Sequence, residues 1–208
     1  MKQTYFVKTI HQKEDMEQCN PFFIQQYMWD SKQEPKVQGW MGYLEGEGLY
    51  VKMICQESNP KRCYQNHNDA VYEDSAMEIF LAFLEEGEKL TNECMYTNFE
   101  INANGAMLAQ KGKGRKNRSF LEIERIESTG ISAKIAEKEW SIEVLFPETY
   151  LNEICDFDKI KAGEAFYCNF YKIAESEEIL HFGSFSPIDS ETPNFHMPVC
   201  FAKAMIEK

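Results

Sequence analysis

Glu78 and Glu100 are the residues of this chain whose types and surroundings best suit them for chemistry. Glu78 stands at the head of Ile79-Phe80-Leu81-Ala82-Phe83, an apolar, β-forming run without Gly or Pro. Glu100 lies in the alternating stretch Met95-Tyr96-Thr97-Asn98-Phe99-Glu100-Ile101-Asn102, sharing one face with Tyr96, Asn98 and Asn102 while Phe99 and Ile101 share the other. Burying a carboxylate unpaired costs several kcal/mol, so at the mouth of a buried strand it either caps a solvated rim or faces into a site. On neighbouring strands the two could act as a glycosidase-like acid–base pair, which needs a separation of about 5–10 Å. Against that stands simple abundance: with 34 acidic residues in the chain, chance proximity of solvated carboxylates is the plainer account. No GxSxG, HExxH, Rossmann glycine run or cysteine-protease signature is present.

Aromatic residues stand beside polar ones in the same parts of the chain. Tyr72 precedes Glu78, Phe195 lies between Asn194 and His196, and Tyr171 shares a face with Asn169. A sugar offers flat C–H faces for stacking and a rim of hydroxyls for Asn, Glu and Lys, so this mixture suits a saccharide. Aromatic plugs at the end of a β core would look the same in composition. His181 and His196 have no cysteine or carboxylate at ligand spacing and read as hydrogen-bonded site or core histidines rather than metal ligands.

The elements that must position these residues are short strands. Residues 1–36 read as an irregular lead-in with one ambiguous apolar stretch at 22–29. Residues 37–44 and 49–55 form two β runs around a Gly-containing linker, a hairpin. A long polar loop, 56–69, delivers the chain to Tyr72 and Glu78. Asn104-Gly105 is the strongest short hairpin signal, returning through 106–108. Residues 120–126, 131–136 and 140–146 continue as half-buried strands, and 147–155, with Pro147 at its first turn, is the one short helix. Strands follow at 166–173 and 180–185, and a loop from 193 feeds a last strand. Roughly ten short strands with one short helix describe a single all-β domain, 1–208, built as an antiparallel β-sandwich of two packed sheets.

Bulk properties narrow the partners. The 208 residues carry 22 basic and 34 acidic side chains, a net charge of −12, which disfavours nucleic acid and anionic membranes. No apolar run approaches the ~20 residues needed to cross a bilayer. The N-terminal residues lack the apolar core of a secretory signal, and seven cysteines form no CxxC pair, so reduced thiols in the cytoplasm are expected. The exception to the acidic balance is 111–118, five basic residues in eight, read as a solvated hairpin tip because its glycines do not match a phosphate cradle.

Taken in order, Val71-Tyr72-Glu73-Asp74-Ser75-Ala76-Met77-Glu78-Ile79-Phe80, Tyr96 to Gly105, Asn169-Phe170-Tyr171-Lys172, His181, and Pro193-Asn194-Phe195-His196-Met197-Pro198 with Phe201 resemble the family 9 carbohydrate-binding modules, and most closely their stand-alone branch. The resemblance implies a jelly-roll-like sandwich with a sugar slot between two aromatic side chains, here Tyr72 and Phe195. It also implies hydrogen bonds to the sugar from Glu78 and Glu100, assisted by Asn169, Tyr171 and Asn194. The founding members recognise the reducing ends of glucans and xylans and carry structural calcium. No contiguous EF-hand-like loop is present here, and no calcium ligands are assigned. Three departures stand out: Tyr and Phe replace the two clamp tryptophans, Glu100 stands where those modules place an arginine, and Ala202 replaces a Gly after Phe201. The expected function is non-catalytic binding of a small saccharide. The rivals are a glycoside-processing enzyme using Glu78 and Glu100, and an interaction domain whose slot has lost its sugar.

Overall fold

The computed structural model describes residues 4–155 and 160–208, with the backbone alone at 154 and 155. The first strand, β1 (Thr4–Ile10), lies within what the sequence suggested was irregular lead-in. It alternates like the others, burying Tyr5 and Val7, but its polar partners and the charged run after it hide the pattern. A 3-10 turn at Lys13–Gln18 leads to β2 (Pro21–Ile24) and β3 (Gln26–Tyr27). The expected hairpin follows as β4 (Lys36–Leu44) and β5 (Gly48–Gln56). Next come β6 (Ala76–Ala82), β7 (Met95–Asn102), β8 (Met107–Lys113) and β9 (Asn117–Phe120). The chain closes with β10 (Ser132–Ile135), β11 (Trp140–Pro147), α2 (Glu148–Cys155), β12 (Ala165–Ala174), β13 (His181–Ser184) and β14 (Ala202–Ile206).

Between β9 and β10 the structure differs from expectation. The strand expected over 120–126 stops at Phe120, the end of β9, and the chain turns into a short helix, α1 (Ile123–Glu127). Apolar residues at 121, 123 and 126 satisfy alternation only in part, and the three-residue spacing of Ile123 and Ile126 is that of a helix, which buries Ile126 and leaves Ile123 exposed. A second difference is direction. The strands join in the order β10-β11-β5-β4-β1-β14-β12-β6-β7-β8-β9, and β1 runs parallel to both its neighbours, β4 and β14. The sheet is therefore mixed, not purely antiparallel, because the N-terminal strand fills the seam between the β4 and β14 edges. Parallel neighbours need long connections, and here these come from most of the chain.

This mixed sheet curls into a half-barrel, so that its two arms face each other. Phe99 of β7 meets Phe146 of β11 with ring centroids 4.3 Å apart, and Phe22 of β2 stacks on Phe170 of β12 at 3.7 Å. These contacts belong to the main core, which also holds Met41, Val51, Ile79, Ile101, Trp140 and Phe166. Among the described residues no helix is long and apolar enough to cross a membrane.

Gly39 lets Phe22 reach Phe170. A Cβ there would sit 2.3 Å from the Phe22 ring, which the stacked Phe170 prevents from retreating. Gly39→Ala is expected to cost about 1–3 kcal/mol by overpacking, read as a lowered midpoint of chemical unfolding with an unchanged slope.

Candidate functional site

Strand register builds the site's floor. Tyr171 of β12 stands opposite Glu78 of β6, Glu78 opposite Glu100 of β7, and Glu100 opposite Leu108 of β8, one row across four strands. The opposite face of the same strands carries Met77, Ile79, Phe99 and Ile101 into the main core, so period-two alternation forces Glu78 and Glu100 out on the other side. There they line one cavity of about 330 Å³, at the lower end of small-molecule pockets, which run ~300–1,000 Å³. Tyr72, Asn194 and Phe195 line it too, joined by Gln110, Arg115, Glu175, Phe182 and His196.

Each wall is held by polar contacts that the sequence explains. Tyr72 sits on a 3-10 turn, Val71–Glu73, next to the buried Asp74. The Asp74 carboxylate accepts the backbone N–H of Cys63 at 2.8 Å, that of Tyr64 at 2.9 Å, and Asn102 Nδ2 at 2.9 Å. Those three bonds tie the long polar loop to the end of β7, and the Tyr72 carbonyl accepts the Glu175 N–H at 2.9 Å. On the other wall, Phe195 lies flat on Tyr171, centroids 4.1 Å apart and planes 11° from parallel, while the Tyr171 hydroxyl donates to the Phe195 carbonyl at 3.2 Å. Trp29 packs against Phe195 at 5.6 Å and donates its indole N–H to the Ser190 carbonyl at 2.8 Å.

Of the seven residues predicted for the site, five meet at the cavity: Tyr72, Glu78, Glu100, Asn194 and Phe195. Tyr171 and Asn169 do not line it. Tyr171 is fully buried behind Phe195 and supports it. Asn169 is buried as well: its amide donates to the Ser186 carbonyl at 3.1 Å and its oxygen accepts the Ser186 N–H at 2.8 Å, clamping the chain after β13.

The expected solvated tip at 111–118 holds only for its turn. Arg118 lies over the Tyr96 ring at 3.8 Å and donates to Asn98 Oδ1 and to the carbonyls of Tyr96, Gln110, Gly112 and Gly114, while Arg115 reaches the cavity and donates to Pro193 O at 3.0 Å. Gly112 and Gly114 in this hairpin take positive φ, 157° and 61°.

Electrostatically the floor is carboxylate-rich. Glu78 and Glu100 are 2% and 5% exposed, and Oε2 of each is buried without a hydrogen-bond partner. Burial, reinforced by Glu100 and Glu175, pushes Glu78 well above the usual carboxylate range. Glu100 is pushed up to about 7, by burial and by Glu175, against the opposing pull of an Asn98 amide bond at 2.9 Å and of Arg118. Glu175 is raised by burial. His196 is pushed down to about 3 by burial and by Arg118 and Arg115; its Nδ1 shares a hydrogen bond with the Tyr96 hydroxyl at 2.8 Å. Among the described residues no group of three His, Cys, Asp or Glu side chains is arranged to hold a metal ion. Two wider depressions, one of 520 Å³ beside Phe23 and Tyr27 and one of 640 Å³ beside Trp40 and Tyr50, have no orphaned buried polar atom on their walls.

A mixed, curled β-sheet with an aromatic-walled, carboxylate-floored pocket on the face opposite its main core defines a β-sheet binding module. The chain belongs to carbohydrate-binding family 9, whose model matches residues 7–206. Among solved structures it is similar to a protein from Bacteroides uniformis described as carbohydrate-binding, at 22% identity over the whole of both chains and a TM-score of 0.83. It is also similar to a family 9 carbohydrate-binding module from Caldicellulosiruptor kristjanssonii. That module in complex with cellotriose aligns at TM-score 0.67 and 11% identity, covering 99% of this chain and 94% of the other. In complex with glucose the figures are 0.69 and 12%, covering 99% and 96%. Identities this low make the likeness one of fold. No curated protein matches the chain in sequence.

Proposed function

We propose that the protein binds a small saccharide without transforming it, in the cavity between Tyr72 and Phe195. The observation that carries this reading is the pairing of aromatic walls with buried, unpartnered acceptor oxygens on Glu78 and Glu100. A sugar ring meets both needs, since its C–H faces lie on aromatic rings and its hydroxyls donate to carboxylates. Family membership, and the cellotriose and glucose held by the similar modules, support a mono- or oligosaccharide of that kind. The proposal extends to the architecture, with the two arms of the curled sheet serving as the layers of a jelly-roll-like sandwich. It extends to setting as well: free thiols at Cys19, Cys55, Cys63, Cys94, Cys168 and Cys200 support a reducing, cytoplasmic one, where the ligand is an imported sugar.

Calorimetric titration with glucose, xylose, galactose, cellobiose and xylobiose tests the reading. At least one is expected to bind, and Tyr72→Ala is expected to weaken that binding about tenfold or more, since one wall of the slot is lost. Silence across the panel from folded protein would remove the reading for neutral saccharides.

A hydrolytic reading has one specific feature in its favour. Directly opposed residues of an antiparallel pair have Cβ atoms about 4.5–5.5 Å apart, within reach of the short carboxylate spacing of a retaining glycosidase. Turnover of nitrophenyl glycosides that disappears in Glu78→Gln would establish it. The binding reading expects none.

A further inference from the structure

Three carboxyl groups line the cavity, those of Glu78, Glu100 and Glu175, and Oε2 of Glu78 and of Glu100 is buried without a hydrogen-bond partner. The cationic and imidazole side chains nearby each hold a protein partner. Arg115 bonds to the Pro193 carbonyl, Arg118 is surrounded by Asn98 and backbone carbonyls, and His196 is tied through Nδ1 to Tyr96. A hydroxyl brings one hydrogen to an acceptor. An ammonium brings three, and its charge favours release of the protons that burial keeps on Glu78 and Glu100, after which each bond it makes to a carboxylate is charge-assisted and about twice as strong as a neutral one.

We infer that this site selects a saccharide carrying a free amine over the same sugar with a hydroxyl in that place. The inference rests on the saccharide reading and adds the ligand's charge to it. Aromatic walls at Tyr72 and Phe195 take the ring, as they would for a neutral sugar, and the acidic floor takes the amine. A net charge of −12 steers cationic ligands in the same direction.

The test is titration at neutral pH with three matched sugars: glucose, glucosamine and N-acetylglucosamine. The amide of the last keeps the substituent but removes the charge. Glucosamine is expected to bind at least about tenfold more tightly than either neutral sugar. In Glu100→Gln, shown by circular dichroism to be folded, the gap is expected to shrink to within about threefold. Raising the salt concentration should narrow the gap in the parent protein. Glucose or N-acetylglucosamine binding as tightly as glucosamine would overturn the inference and leave the saccharide reading standing. A preference for glucosamine that persists unchanged in Glu100→Gln would overturn the role given to this floor. Silence from all three sugars and from the neutral panel would overturn both.

Discussion

Lys172→Met is expected to destabilise the protein by about 3–5 kcal/mol. Lys172 is fully buried on β12, facing the main core, and its ammonium has no access to water. It donates to Ser75 Oγ at 2.6 Å and to His181 Nε2 at 2.8 Å, and it lies 3.6 Å from Glu57 Oε2. That same carboxylate oxygen accepts Ser75 Oγ–H at 2.5 Å and the Trp140 indole N–H at 2.9 Å. The His181 ring is oriented by its Nδ1 contact with the Ile179 carbonyl at 2.6 Å, which leaves Nε2 as the acceptor for the ammonium. Burial works against the Glu57 charge, yet the ammonium and the hydrogen bonds from Ser75 and Trp140 outweigh it and hold this carboxyl below its usual range. Removing the ammonium leaves a carboxylate buried with its countercharge gone, which is the costly half of a broken ion pair. For a chain of about this size each kcal/mol moves the midpoint by roughly 2–4 °C, so melting should fall by on the order of 10 °C. The double variant Glu57→Gln with Lys172→Met should recover part of the loss, because the buried charge leaves with its partner. A single variant melting within about 2 °C of the parent would show that the network contributes little.

Lys172 also shows where sequence reasoning stops. By alternation Lys172 shares a face with Phe170, and nothing local in Phe170-Tyr171-Lys172-Ile173 shows what covers that face. Both faces of β12 are covered, one by the arm carrying β11 and the other by the Phe195 loop, so neither side is wet. The floor of the pocket was legible because it depends on local rules: alternation puts Glu78 and Glu100 opposite Ile79 and Phe99, and Asn104-Gly105, with Gly105 at φ 79°, sets the β7–β8 register. Tyr72 and Phe195 came from resemblance, and the structure brings both to the same cavity. Arg115, Gln110, Glu175 and Phe182 were missed. They arrive from two parts of the chain, the β8–β9 hairpin and the stretch from the end of β12 into β13, and only long-range strand pairing brings them together. The parallel placement of β1 was hidden for the same reason, since its partners lie at the far end of the chain and in the β4–β5 hairpin.

Trp29 carries the same lesson for the pocket wall. It ends the apolar stretch 22–29 whose period is ambiguous in the sequence, and it packs against Phe195 at φ 54°, in the left-handed region that tryptophan rarely adopts. Three aromatic rings therefore meet the Phe195 ring, those of Tyr171, Trp29 and Phe182. A side chain held on so many sides cannot swing into the slot, which keeps one wall formed before any ligand arrives, and preformed walls favour affinity.

The floor of that slot should cost stability at neutral pH, and Glu100→Gln should recover it. A carboxyl raised from 4.5 to about 7 in the folded protein takes up a proton that the unfolded chain has already released at the same pH. Its contribution is therefore fully present below about pH 4.5, where both states are protonated, and is lost as the pH rises towards and through 7. His181 and His196 act in the opposite sense: both are pushed down to about 3, so unfolding takes up protons as the pH falls below 6.5, and stability falls with it. The two effects overlap between about pH 4.5 and 6.5, and the parent's profile alone does not separate them. The difference between parent and Glu100→Gln does, because the histidines are common to both. Gln keeps an oxygen for the Asn98 amide and places an N–H₂ where Glu78 now faces a second carboxyl. At pH 5 the variant should melt close to the parent, and by pH 8 it should melt several degrees higher, because the loss of Glu100 also removes a charge that raises Glu78. Parallel melting curves from pH 5 to 8 would show that Glu100 is not held against its charge, and the account of an acceptor-rich floor would fail with it.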